Sequence, residues 1–311
     1  MLPKAEDALQ ALGLPARDAY RLPSSSLRFP DGCHWRVEIS GVERLSTLEA
    51  LLEESERQQI PVHRIIAMVM GATYLVPEEL REFARLARDA GIEVIVTPGP
   101  RPLWDAGKQV ATPEGALSGL RLRGADGLCQ YVADVMRAVD VGFRGFLVWD
   151  EGCLSVMNRL RQEVHLPENV VFKVSIFAGH ANPAGARLLE ELGADTFNPV
   201  ADLTLPQLAA LRQAVRIPMD IHVILFDSFG GHNRMYECPE LARIAAPCYF
   251  KIEPGPSVST FYKPWAAPET HRFVIREKVK MARIIRDIVV ETCGGIKCSP
   301  AAPADLAIPE P

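Results

Sequence analysis

Eight short runs rich in β-branched residues alternate with amphipathic segments along this chain of 311 residues, and this alternation constrains the fold most. The runs are WRVEIS (35–40), HRIIAMV (63–69), IEVIVT (92–97), GFLVWD (145–150), VVFKVSIF (170–177), DTFNP (195–199), PMDIHVILF (218–226) and PCYFKIE (247–253). Strands separated by helices form parallel sheets, because a parallel pair needs a long crossover connection. Eight such units close into a (β/α)8 barrel, a fold that takes ~250 residues as one domain. We therefore predict an α/β protein with a single TIM barrel.

An open, doubly wound sheet is the alternative fold, since it also alternates strands and helices. That fold favours a glycine-rich phosphate loop after its first strand. Here the first strand continues into ISGVERLS, which contains one glycine. The strand count and the missing loop both favour the closed barrel.

The barrel is predicted to cover residues 34–292. Residues 1–33 are interrupted by prolines and serines and are interpreted as an N-terminal lead-in or cap. An extended C-terminal helix begins near His271, and residues 293–311 are predicted to be a flexible tail. Capping-box spacings at Ser46 with Glu49 and at Thr204 with Gln207 predict two helix starts.

Composition excludes several classes of partner. The net charge of -5 disfavours nucleic acid, which attracts clustered basic residues, and no apolar run approaches the ~20 residues that a membrane helix needs. The seven cysteines are odd in number and lack CxxC spacing, which favours reduced thiols. We predict a cytoplasmic protein that binds neither nucleic acid nor membrane.

Polar residues occupy alternate positions of four predicted strands, in the register that would face the barrel interior. They are Arg36, Glu38 and Ser40 in strand one, Lys173 and Ser175 in strand five, Asp220 and His222 in strand seven, and Lys251 and Glu253 in strand eight. Barrel interiors are normally filled by branched apolar side chains, and buried ions are costly to desolvate. The pattern predicts a functional site, with a structural salt-bridge network as the alternative.

Further candidates follow the strands, where the loops of a barrel carry function. Asp150 and Glu151 end strand four. The predicted substrate-binding residues are Arg101 in TPGPRPLWDAG, Ser175, His180 in FAGHANP, Asn198, and His232 and Arg234 in FDSFGGHNRMYE. Arginine, histidine and amide side chains of this kind hold carboxylate or phosphate groups.

Two mechanisms are compatible with these residues. In the first, a divalent metal, Mg²⁺, Mn²⁺ or Zn²⁺, polarises a substrate carbonyl, with Lys173, His222, Lys251 and Glu253 as catalytic groups. The predicted metal ligands are Glu38, Asp150, Glu151 and Asp220. This mechanism predicts carbon–carbon lyase, aldolase or isomerase chemistry on a small, polar, anionic substrate.

In the second mechanism, Lys173 forms a Schiff base with a carbonyl substrate, as buried lysines with a lowered pKa can do. A non-catalytic barrel that binds the same ligand is a third interpretation. The oligomeric state stays open, although barrels of this kind often form homo-oligomers.

The segments FKVSIFAGHANPAGARLLEELGADTFNPVADLTLPQLAALR and IHVILFDSFGGHNRMYECPELARIAAPCYFKIEPG resemble U32 peptidase-type proteins. The resemblance covers the second half of the predicted barrel. It implies a (β/α)8-like fold with peptidase or hydrolase activity, and proteins of this group are also implicated in hydroxylation with iron–sulfur clusters. The cysteine signature of that group is not found in this chain, so no catalytic residue is transferred.

Overall fold

Eight parallel strands form a closed barrel in neighbour order β1 to β8 in this computed structural model. The structure describes residues 2–11, 21–99, 109, 112, 113, 115, 120–257, 261–263 and 265–311. The strands are β1 (Trp35–Val42), β2 (Arg64–Ala67), β3 (Glu93–Val96), β4 (Gly145–Val148), β5 (Val171–Val174), β6 (Thr196–Phe197), β7 (Met219–Ile224) and β8 (Cys248–Ile252). Each one lies within or overlaps a predicted run, so the TIM-barrel prediction is confirmed.

Helices cover the outside of the barrel and supply the crossover connections. They are α1 (Leu2–Ala11), α2 (Leu45–Gln58), α3 (Pro77–Asp89), α4 (Gly124–Asp140), α5 (Glu151–Gln162), α6 (Pro183–Glu191), α7 (Leu205–Ala214), α8 (Cys238–Ala245) and α9 (Pro268–Thr292). α9 packs against α2 and β1 and so closes the ring of helices between the last and first units. None of the helices that the structure describes is long and apolar enough to cross a membrane.

The two predicted helix starts have different outcomes. At α7 the backbone N–H of Thr204 donates to Gln207 Oε1 at 2.8 Å, as the capping-box spacing predicts. α2 begins at Leu45 instead, and Thr47 accepts from the backbone N–H of Arg44 at 2.9 Å. The Ser46 prediction is wrong because the helix starts before that residue.

The apolar core lies between strands and helices, where outward-facing residues such as Val37 and Ile39 are buried. The opposite, inward register of the same strand carries polar side chains. The polar side chains therefore occupy the barrel interior, which positions the candidate site described below.

The segment before β1 and the C-terminal residues cover the N-terminal end of the barrel. The Phe29 ring packs edge-on against Tyr249 at 5.3 Å, and the backbone N–H of Ala307 donates to Glu93 Oε2 at 2.9 Å. Arg36 Nη2 lies 2.6 Å from Asp305 Oδ1. Residues 298–311 thus pack on the barrel, in contrast to the flexible tail predicted from their composition, because the buried Arg36 guanidinium needs a carboxylate partner there.

We expect Asp305→Asn to lower the free energy of unfolding by about 1–3 kcal/mol, because the buried Arg36 guanidinium loses a charged acceptor. Urea denaturation measures this change. Asp140→Asn, at an exposed position on α4, is the matched control and should change it by less than about 0.5 kcal/mol. Equal effects of the two substitutions would show that the tail is not anchored by Asp305.

Candidate active site

Arg64 is the centre of a charge network in the lower half of the barrel interior. Its Nε donates to Glu38 Oε2 at 2.5 Å, its Nη1 donates to Thr196 Oγ1 at 3.2 Å, and its Nη2 donates to Asp220. The guanidinium also lies 3.5 Å from the centroid of the Tyr249 ring. Burial opposes the charge, but Asp220 and Glu38 outweigh it and raise the pKa of Arg64 well above its ordinary value. Arg64 therefore stays charged and fixes the two carboxylates.

Lys173 joins the same network from β5. Its ammonium donates to Asp220 and lies 3.2 Å from Glu38 Oε2. Burial lowers the pKa of Lys173 to about 8, although Asp220 and Glu38 favour the charged form. Burial also opposes ionisation of Glu38, but Arg64 and Lys173 outweigh it and lower the Glu38 pKa to about 2. These ion pairs form the floor of the site above them.

Lys251 lies above this floor, between two carboxylates but beyond hydrogen-bond distance from either. Its Nζ is 3.7 Å from Glu38 Oε1 and 3.6 Å from Glu253 Oε2. Glu38 and Lys251 are neighbours in the β1–β8 register, and His222 is the register neighbour of Lys251 on β7. The two carboxylates hold the ammonium in place by charge, while its N–H groups remain available to a ligand oxygen.

His222 and Glu253 form a hydrogen-bonded pair beside Lys251, with 3.1 Å between His222 Nε2 and Glu253 Oε2. Burial opposes ionisation of Glu253, but Lys251 and His222 outweigh it and lower its pKa to about 2. Burial and the charge of Lys251 lower the pKa of His222 to about 4, although Glu253 opposes this. At neutral pH an uncharged imidazole therefore donates from Nε2 to a carboxylate.

The other ring nitrogen of His222 is then an unprotonated acceptor. Nδ1 is buried and has no hydrogen-bond partner among the residues that the structure describes, and the same holds for Ser40 Oγ, Thr97 Oγ1 and Asn198 Oδ1. Asn198 is oriented by its Nδ2, which donates to the carbonyl of Asp220. Buried polar atoms are rarely left unpaired without a role. These acceptors and the Lys251 donors together suit a small polar ligand.

Tyr262 belongs to an apolar cluster with Ile66 of β2, Ile95 of β3 and Leu147 of β4. Its ring lies directly on Gly41, where an added Cβ would come within 2.1 Å of Tyr262 Cε1. Gly41 has a φ of 82°, so this position requires glycine for both backbone and space. The ring covers part of the upper interior.

Lys278 of α9 binds the Tyr262 side chain. Its Nζ donates to Tyr262 Oη at 2.6 Å and to the carbonyl of Ser40 at 2.7 Å. Burial lowers the pKa of Lys278 to about 8, although Glu253 and Glu43 partly offset it. Tyr262, Lys278 and Arg64 were missed from the sequence. Two of them could have been found from the sequence. Arg64 alternates with the apolar Ile65 in β2, and Lys278 follows Ile275 at a spacing of three residues on the buried face of α9.

The remaining predicted residues lie around the rim of the barrel. Ser175 Oγ accepts from the Phe177 backbone N–H at 3.3 Å, and His180 Nε2 lies 2.7 Å from Glu151 Oε1. Arg234 donates to the carbonyl of Leu203 at 2.8 Å and to Glu237. It therefore links the loop after β7 to the loop after β6.

Two further predicted ligand-binding residues have different outcomes. Burial lowers the pKa of His232, and its Nε2 has no partner among the described residues. Arg101 lies outside the described residues.

The four predicted metal ligands lie in two separate places. Glu38 and Asp220 are bound by Arg64 and Lys173 on the floor. At the rim, Asp150 accepts from the Cys153 backbone N–H at 3.0 Å, and Glu151 pairs with Arg121 and His180. Within the described ranges, no three His, Cys, Asp or Glu side chains are grouped to hold a metal. The four carboxylates therefore do not form the predicted metal site together. Binding of a divalent metal elsewhere stays a prediction.

No protein-family model matches this chain, and no curated protein matches it. The YdjI aldolase from Escherichia coli K12 is similar at 13% identity, covering 85% of this chain and 94% of that one, with a TM-score of 0.49. D-psicose 3-epimerase from Clostridium cellulolyticum H10 is similar at 12% identity, covering 82% and 99%, with a TM-score of 0.47.

A U32 peptidase, Mk0906, is also similar to this chain. The identity is 20%, the coverage is 66% of this chain and 74% of that one, and the TM-score is 0.40. It belongs to the group that the second half of the sequence resembles.

Proposed function

We propose that this protein is an enzyme of the lyase or isomerase type that transfers a proton next to the carbonyl group of a small anionic substrate. The observation that carries the proposal is the unpartnered Nδ1 of an uncharged His222, whose strand-register neighbour Lys251 keeps its N–H groups available. A base and a cation in one buried site are the two groups that enolate formation needs.

In the proposed reaction, the substrate carbonyl oxygen binds Lys251 and His222 Nδ1 takes the proton from the adjacent carbon. The C–H bond breaks, an N–H bond forms, and the electron pair moves to the oxygen beside the ammonium. Glu253 stabilises the imidazolium that results, through the Nε2 hydrogen bond. Return of the proton to another position gives an isomerase.

Lyase chemistry uses the same groups. His222 then takes the proton of a hydroxyl group, the neighbouring C–C bond breaks, and its electron pair becomes the enolate stabilised by Lys251. Ser40 and Asn198 offer acceptors to the remaining substrate hydroxyls. Because Nδ1 is out of contact with solvent, the side chains that cover it must move before a substrate binds.

The test is hydrogen exchange of small 2-oxo and 2-hydroxy acids in D2O, followed by proton NMR. The wild-type protein is expected to exchange the hydrogen next to the carbonyl of at least one acid, and Lys251→Met is expected to abolish this. An acid that binds without exchange would support a non-catalytic binding barrel instead. Exchange at equal rates in Lys251→Met would contradict the role of Lys251.

Schiff-base chemistry at Lys173 is the second candidate, favoured by the lowered pKa of about 8. We expect borohydride with carbonyl acids to leave Lys173 unmodified, because its ammonium is bound by Asp220 and Glu38. Mass spectrometry of the tryptic peptide measures this. An adduct on Lys173 in the wild type, absent in Lys173→Met, would favour the Schiff-base mechanism over proton transfer by His222.

A further inference from the structure

A cavity lies at the N-terminal end of the barrel, opposite the proposed active site. Its volume is about 330 Å³, which is in the range of small-ligand sites. It opens beside Arg28 and Arg216, both exposed, and reaches inward to Tyr249 and Lys173. The interior of a (β/α)8 barrel is normally filled by side chains, so an open space here is unusual.

Basic side chains outnumber acidic ones in the lining of this cavity. The basic residues are Arg28, Arg36, Arg64, Lys173 and Arg216, and the acidic residues are Glu93, Asp195 and Asp305. All three acidic groups already have partners. Asp305 pairs with Arg36, Glu93 accepts from Ala307 and lies 3.5 Å from Arg64, and Asp195 pairs with Arg161.

Hydrogen-bond donors remain after these pairs are formed. Lys173 has three N–H groups and bonds two carboxylates. Tyr249 Oη accepts from Arg36 at 3.4 Å but donates its own proton to no residue that the structure describes. Among the same residues, the Arg216 guanidinium has no hydrogen-bond partner. A cavity with available donors inside, and with two arginines at its opening that pair with no carboxylate among the described residues, suits a ligand that consists of acceptors.

We propose that this cavity binds a small anion with phosphate or carboxylate oxygens, at a site separate from the catalytic one. Arg216 and Arg28 attract the anion at the opening, while Tyr249 and Lys173 donate to it inside. Arg36 and Arg64 line the cavity but are not assigned to the anion, since their N–H groups already bind protein acceptors that include carboxylates. The Glu38 and Asp220 network separates this anion from Lys251.

Isothermal titration calorimetry with inorganic phosphate and with citrate, at constant ionic strength, tests the proposal. We expect saturable binding of one anion per chain for at least one probe. The double substitution Arg28→Ala with Arg216→Ala should weaken it at least tenfold, whereas Arg85→Ala, an exposed position on α3, should leave it unchanged.

Lys251→Met distinguishes the two ends of the barrel. Binding that persists in this variant supports the N-terminal cavity, even if the proposed catalytic reaction is wrong. No saturable binding of either probe, binding unaffected by the double substitution, or binding lost in Lys251→Met would each overturn the proposal.

Discussion

Replacing Arg64 by methionine is expected to lower the free energy of unfolding by about 3–5 kcal/mol, because it removes the cation that compensates two buried carboxylates. Glu38 and Asp220 are both buried and would keep only lysines as charged partners. Since domains are stable by only about 5–15 kcal/mol, the variant should be close to unfolding at ordinary temperature. Urea denaturation followed by circular dichroism measures the change.

The control is Arg85→Met, which changes the same residue type at an exposed position of α3 and should cost less than about 0.5 kcal/mol. Adding Asp220→Asn to Arg64→Met should recover part of the loss, because one uncompensated charge is removed. A loss below about 1 kcal/mol in Arg64→Met would mean that the network does not depend on this guanidinium.

The second large effect is expected in catalysis. His222→Gln should slow hydrogen exchange of an accepted substrate by about 10²–10⁴-fold, because the amide has no basic nitrogen to take the proton. Glu253→Gln should also slow it, since the imidazolium loses its carboxylate partner. The rates are measured by proton NMR in D2O. His165→Gln, an exposed histidine, should retain the wild-type rate, and equal rates in His222→Gln would exclude His222 as the base.

The pH dependence of kcat/KM should also identify His222 as the base. His222 acts as a base only when uncharged, so the acid limb of kcat/KM is expected near its lowered pKa of about 4 rather than near 6.5. Between these two pH values the unfolded chain binds a proton at this histidine and the folded chain does not. The difference in proton binding at His222 therefore lowers the free energy of unfolding as the pH falls through that window. An acid limb near 6.5 that disappears in His222→Gln would contradict the buried environment.

The fold was predictable because strand and helix periods differ and recur. All eight predicted runs contain or overlap a barrel strand, although DTFNP yields a strand of two residues only. The tail was harder, since AAPADLAIPEP has no periodicity. Its contacts with the barrel include Asp305, which pairs with Arg36, 269 positions away in the sequence. Contacts between distant residues of this kind leave no local pattern.

The candidate site was predictable in part for the same reason. Period-two alternation identified Glu38, Lys173, His222 and Lys251 as inward residues, and the structure brings these side chains together. It did not indicate that Asp150 would cap a helix instead of joining them. That outcome depends on which side chains lie at the same position along the barrel axis. Strand register sets this position, and the sequence pattern does not show the register.

Tyr262 lies between β8 and α9, so only the folded chain places its ring on Gly41. No spacing rule links these two positions. Side chains that cover a site from the connections between barrel strands and helices are therefore the part that sequence patterns predict least well.

The most direct test is the protonation state of His222, measured by two-bond ¹H–¹⁵N NMR on histidine-labelled protein, with His222→Gln for assignment. At pH 7 we expect one protonated and one unprotonated ring nitrogen, and a titration midpoint near 4. Such a spectrum would show the available base beside Lys251 on which the proposed reaction depends. An imidazolium at pH 7, or an ordinary midpoint near 6.5, would contradict the account.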